Sequence, residues 1–272
     1  MTNANKLNRP GEFFVFEKYK EFKGPNTEKM AELRSEDRTP MSVADTLQRR
    51  LDVRGDSGEV RSYWTDNYFN TGDAILRNPQ GDVKIALDSQ MLWSINPNTR
   101  LQSGAVPLTN DQWEEITGDN VMLVPAKKAK KLDEKMYSRE SVKDSEEWNF
   151  LARDNNRLET YADEFFPEMK QRFGYDEAMG LYLSSTQDTP IMRSVFLGRL
   201  DSRSSADGWL DLDPDYGRLV GVAPEAQNAP SIGGIADTEL LKVRSYMDAG
   251  EAFEHNGRVY VPVSDKRITL EK

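Results

Sequence analysis

The sequence predicts an α+β fold: a small antiparallel β-sheet region, then a helical region, then a C-terminal helix plus β-hairpin. Three observations carry this prediction. Residues 59–125 hold short apolar runs that alternate with polar residues and are separated by turn signals. Residues 144–183 hold an apolar stripe at helical spacing. Residues 253–260 set an Asn-Gly pair between apolar residues, the strongest short-range hairpin signal.

Residues 1–40 read as an N-terminal arm. Phe13, Phe14, Phe16, Tyr19 and Phe22 interleave with Glu and Lys, a composition suited to docking on a partner or to packing on the arm's own domain. Gly24-Pro25-Asn26 breaks this stretch, and the charged segment Thr27–Arg38 predicts a short helix. Residues 41–125 are expected to form a mixed α/β domain with an antiparallel sheet. Ser42 and Asp45 stand in capping-box register, followed by Val43, Leu47 and Leu51 on one helical face, with an end by Gly55. Ala74–Arg77 and Asp82–Asp88 flank Asn78-Pro79-Gln80-Gly81, and Val83, Ile85 and Leu87 alternate with Lys84 and Ala86. This predicts a hairpin in which Pro79 presets the turn. Further short strands are expected at Ala105–Leu108 and Val121–Val124, with a helix capped near Thr109 and carrying Trp113 and Ile116 between them.

Residues 126–143 are rich in Lys and have no apolar period, so they read as a charged linker or exposed helix. Residues 144–222 read as mainly helical. Asp144 is the expected cap, and Trp148, Leu151, Ala152, Leu158, Tyr161, Ala162 and Phe165 form the stripe. Pro167 is expected to end this helix, because proline has no N–H to donate. A third short helical element follows from Tyr175 to Leu183, Ile191–Leu200 fits strand or helix, and Arg218–Val222 reads as a buried strand. Residues 223–236 read as a linker, and 237–272 as a helix plus β-hairpin. No internal repeat is visible.

Composition narrows the chemistry. The chain has no cysteine, which removes thiol nucleophiles, thiolate metal sites and disulfides. That tilts the expected setting towards the cytoplasm or a virion. Residues Met1–Lys6 are polar and lead into no apolar run, so no signal peptide and no membrane partner are expected. The formal net charge of −10 opposes nonspecific binding to a phosphate backbone. His255 is the single histidine and abuts the predicted Asn-Gly turn, a poor place to hold an imidazole as a general base.

Two constellations could still carry chemistry. Asp207, Asp211, Asp213 and Asp215 lie in one acidic loop, and alternating aspartates are how calcium loops gather oxygen ligands; they are the candidate site for Ca²⁺ or Mg²⁺. The EF-hand pattern fails, because the positions that need Gly and Glu hold Tyr216 and Val222. The C-terminal helix and hairpin resemble in outline the last helix and wing of a winged helix, and Arg244, Arg258, Lys266 and Arg267 would then contact nucleic acid. No phosphate-binding glycine loop or nucleophile elbow is present. The expectation is a non-enzymatic structural or protein-interaction protein with no cofactor, working through a protein partner or self-association. A metal-dependent hydrolase using the acidic loop and a nucleic-acid binder are the alternatives.

Overall fold

The structure is a computed structural model that describes residues 18–56, 58–224, 253–255 and 258–260. Contacts divide the chain into two units, residues 1–227 and 228–272.

The first unit is α+β. It begins with strand β1 (Tyr19–Lys23), helix α1 (Asn26–Ser35), the short strand β2 (Thr39–Pro40), helices α2 (Val43–Asp52) and α3 (Glu59–Thr65), and the long strand β3 (Phe69–Arg77). It continues with β4 (Val83–Ala86), α4 (Gln90–Trp93), β5 (Val106–Pro107), α5 (Asn110–Glu115), β6 (Val121–Val124), α6 (Ala126–Leu132), β7 (Lys135–Tyr137) and α7 (Arg139–Lys143). Then come α8 (Glu146–Ala152), α9 (Asn155–Phe173), β8 (Ala178–Tyr182), β9 (Ile191–Leu197), β10 (Ala206–Asp207) and β11 (Arg218–Val222). These strands form one mixed sheet in the order β1-β11-β3-β9-β10-β8-β7, with β4 and β6 continuing from β3, β5 beside β9, and β2 beside β11.

Strand β3 is the centre because both its faces are covered. Side chains alternate along a strand, so Ile75 joins Val43, Leu47 and Leu51 of α2, Trp148 of α8 and Leu158 and Phe165 of α9 on one face. Its neighbours Ala74 and Leu76 turn to the other face, against Met30 and Leu33 of α1, Leu92 of α4 and Trp113 of α5. Two helical layers therefore sandwich the sheet. Several local predictions match. Ser42 and Asp45 form the capping box of α2, with Asp45 N–H donating to Ser42 Oγ at 3.0 Å and Ser42 N–H to Asp45 Oδ2 at 2.9 Å. The β3–β4 hairpin closes through Gly81 N–H to Asn78 O at 3.0 Å, in the register Arg77↔Val83.

Other expectations are corrected. Of the two readings of the arm's aromatics, docking on a partner or packing on its own domain, Tyr19 and Phe22 follow the second: they are 8% and 2% exposed and lie in the chain's own core. They do so because β1 pairs with β11, about the whole length of the unit away in sequence, a register no local pattern reveals. Phe13, Phe14 and Phe16 lie outside the described residues. The Lys-rich 126–143 segment, expected to be a charged linker or exposed helix, contains α6, β7 and α7, and Ala129 and Leu132 at three-residue spacing, with Tyr137 and Val142, anchor it to the core. Ser145, not Asp144, caps α8. Pro167 lies inside α9 without ending it: the buried Phe165, Phe166 and Met169 hold both halves in place, and tertiary packing outweighs the lost hydrogen bond. The helix expected after Tyr175 is strand β8, and Ile191–Leu197 is a strand, so the segment expected to be mainly helical supplies four strands to the sheet that β3 centres.

In the second unit, β12 (Phe253–His255) pairs antiparallel with β13 (Arg258–Tyr260), with His255 opposite Arg258. This is the predicted hairpin. The predicted helix 237–249, the linker after residue 224, and Arg244, Lys266 and Arg267 lie outside the described residues; Arg258 is on β13. Among the described residues no helix is long and apolar enough to cross a membrane.

Candidate binding surface

The exposed end of the sheet is built by register. Ala206 of β10 stands opposite Leu181 of β8 and Leu197 of β9, and all three are fully buried in the core. One residue further along, the pleat turns the side chains outwards. Asp207 therefore stands between Tyr182 and Phe196, and these three form a row across the outer face. Met136, Tyr175 and Arg203 complete a concavity of about 330 Å³ over this row.

A buried arginine fixes the wall. Arg50, on α2, is 0% exposed. It donates to Trp64 O at 2.8 Å, Gly198 O at 2.8 Å, Ser204 Oγ at 3.0 Å, Tyr161 Oη at 3.1 Å and Asn67 O at 3.2 Å. All five acceptors are neutral oxygens, and a guanidinium has five N–H donors to satisfy. Two of these acceptors, Gly198 and Ser204, bound the turn that carries Arg199 and Arg203. Arg203 and Ser204 both sit in the left-handed region, at φ 64° and 50°. The turn is tied to β8 by Met179 N–H to Arg203 O at 2.7 Å and by Gly180 N–H to Ser205 Oγ at 3.1 Å. Thus a core cation determines where the surface cation Arg203 stands. Its guanidinium lies 4.6 Å from the Tyr175 ring centroid, and Tyr175 donates from its hydroxyl to Asp201 O at 2.8 Å.

Aromatic surface extends outwards from this concavity. The Phe196 and Tyr68 rings lie 4.8 Å apart, and the Tyr68 hydroxyl donates to Tyr216 O at 2.6 Å. Tyr216 is 63% exposed and Trp209 45%. The electrostatics are mostly acidic. Burial raises the Asp207 carboxyl above its ordinary value, Trp209 N–H donating to Oδ1 at 2.6 Å opposes this, the Asp133 carboxylate adds to it and the Arg193 guanidinium opposes it. Burial, then the carboxylates of Asp207 and Glu134, raise the Tyr182 hydroxyl, with Arg203 acting in the opposite sense.

The structure does not gather the aspartates that the sequence suggested for a cation. Asp211 accepts from Arg193 Nη1 at 2.5 Å and lies against Gly104, while Asp213 and Asp215 are exposed. Between them Leu212 is fully buried, and Asn26 N–H donates to its carbonyl at 2.7 Å, which pins the loop to α1. The alternation that reads as a ligand set instead turns Leu212 inwards and its aspartate neighbours outwards. Among the described residues no group of three or more His, Asp or Glu side chains is placed to hold a metal ion. Sequence reasoning missed Tyr175, Tyr182, Phe196 and Arg203. The usable signal was the short apolar runs at 178–183 and 191–197, of strand length, hidden where the first of these segments was read as helix.

No protein-family model matches the chain, and no curated protein matches it. Among solved structures it is similar to one described under "Accommodation of massive sequence variation in Nanoarchaeota by the C-type lectin fold". The two share 17% identity with a TM-score of 0.57, over 75% of this chain and 96% of the other. At that identity the likeness speaks for architecture alone: the chain has a C-type lectin-like fold.

Proposed function

We propose that this chain is a non-enzymatic protein-interaction or structural component, a cytoplasmic or virion protein, which contacts its partner or a second copy through the aromatic face around Asp207. One observation carries the reading: large aromatic side chains, Trp209 and Tyr216, stand exposed beside half-buried Tyr182, Phe196, Tyr68 and Arg203 on a rigid sheet end. Tyr, Trp and Arg are the residues that dominate binding energy at protein interfaces, because they offer large contact area with few torsions to freeze. The structural neighbour is described as accommodating massive sequence variation on this fold. That supports a scaffold whose outward side chains are chosen for contact while its inward ones keep the fold.

The test is site-specific photo-crosslinking from a benzoylphenylalanine at position 216 in the full chain, with a second probe at position 123 on the distant strand β6. The expected outcome is one stoichiometric product, a partner or a dimer, from position 216 that Trp209→Ser suppresses. Equal yield from both probes, or insensitivity to Trp209→Ser, would reject this face as the contact surface.

A further inference from the structure

Resting on that reading, we propose that the concavity between Tyr175, Tyr182 and Phe196 receives an arginine side chain presented by a protein partner. Charge complementarity carries the argument. Asp207 lines the concavity, and among the described residues no cation lies within ion-pair distance of its carboxylate; Arg193 acts on it from further off. Asp133 and Glu134 add negative charge around Tyr182, and Arg203 is the cation that opposes them there. Asp133 is itself engaged by Arg77 at 3.4 Å, and Arg193 is held by Asp211 at 2.5 Å. Among the residues that line the concavity, Asp207 is the one that carries a carboxylate. The walls suit a flat cation. Arg203 already lays its guanidinium on the outer wall, 4.6 Å from the Tyr175 centroid, which shows that this aromatic wall accommodates the group. Tyr182 and Phe196, one on each side of Asp207 in register, offer further ring surface, and a guanidinium can stack on a ring while donating in the plane to a carboxylate. The volume of about 330 Å³ suits a side chain rather than a whole secondary-structure element. The chain's formal charge of −10 favours the approach of a basic partner.

The experiment titrates the full chain with acetyl-Gly-Arg-Gly-amide, with the same peptide carrying citrulline, and with the lysine peptide, following tryptophan fluorescence and amide shifts. Citrulline keeps the shape of arginine and removes its charge. Saturable arginine binding at least about tenfold tighter than citrulline is expected, from the stacked cation and the charge-assisted hydrogen bond together. Asp207→Asn should remove most of that difference, and Asp213→Asn, on the exposed part of the loop, should leave it unchanged. Equal affinity for citrulline, equal or tighter binding of lysine, an unchanged Asp207→Asn variant, or no saturable binding of any peptide would overturn the proposal. Should Asp207→Asn not fold, the citrulline comparison on the unaltered chain decides. Crosslinking from position 216 that survives a negative peptide result would remove this inference and leave the contact surface standing; loss of both would remove the reading beneath it.

Discussion

Raising the pH should destabilise this protein through one carboxyl, Asp73, which is 0% exposed at the irregular middle of β3. Burial pushes its pKa from the ordinary 3.8 up to about 6. Three groups pull the other way: Arg153 Nη2 at 2.7 Å, Asp88 N–H at 3.0 Å and Val43 N–H, at the start of α2, at 2.7 Å. Burial prevails because Arg153 is shared with the Asp88 carboxylate, at 2.7 Å, and is partly open to water. A folded pKa above the unfolded one means that the native state binds the proton more tightly. The resulting stability is complete below about pH 4 and is lost as pH rises through about 6, an upward limit of about 3 kcal/mol. The assay is urea unfolding of the wild type and Asp73→Asn at fixed ionic strength between those limits and neutrality. The variant carries a constant penalty, because its amide cannot accept from both flanking N–H groups and Arg153 as a carboxylate does. The readout is therefore the change with pH of the wild-type-minus-variant difference, which should fall as pH rises. A difference that stays flat, or that rises with pH, would refute the reasoning and make the Arg153 pair the dominant influence.

Two further outcomes follow from buried polar groups. Arg50→Met should cost about 3–5 kcal/mol in urea unfolding, since it strands the Trp64 and Gly198 carbonyls inside the core; Arg50→Lys should recover little, because an ammonium has three donors for five acceptors. Gly104→Ala should cost more than about 2 kcal/mol: φ is 69°, and a Cβ would stand 2.1 Å from Asp211 Cγ, forcing that carboxylate off the buried Arg193. A loss below about 0.5 kcal/mol for either substitution, the range of ordinary surface changes, would show that the local network relaxes around the change.

Local signals in the sequence were strong where the physics is local. The Ser42–Asp45 box, the Asn78–Gly81 turn and the 253–260 hairpin each depend on residues a few positions apart, and each is present in the structure. Legibility failed where distant pairing decides. Tyr19 and Phe22 look like an interaction motif until Val222 and Leu219 are found opposite them. Pro167 looks like a helix end until Phe166 and Met169 bury the turn around it. The concavity was hidden for the same reason. Its three central residues come from three strands separated by many positions, and each alone is an ordinary Tyr, Phe or Asp.

The same geometry separates what holds the fold from what faces outwards. Leu181, Ala206 and Leu197 point inwards and are fully buried, while their immediate successors or predecessors Tyr182, Asp207 and Phe196 point outwards from the same strands. A period of two makes these sets independent: replacing an outward residue leaves the inward packing and the ladder hydrogen bonds in place. The turn beside them is held differently, by Arg50 from beneath and by the hydroxyls of Ser204 and Ser205, none of which involves the Arg203 side chain. Arg203 can therefore change identity without releasing the turn, whereas Arg50 cannot. A surface whose position is set by buried residues and whose chemistry is set by exposed ones can be re-specified one side chain at a time, which is what a recognition surface requires and what an acid–base site, with its coupled geometry, would resist.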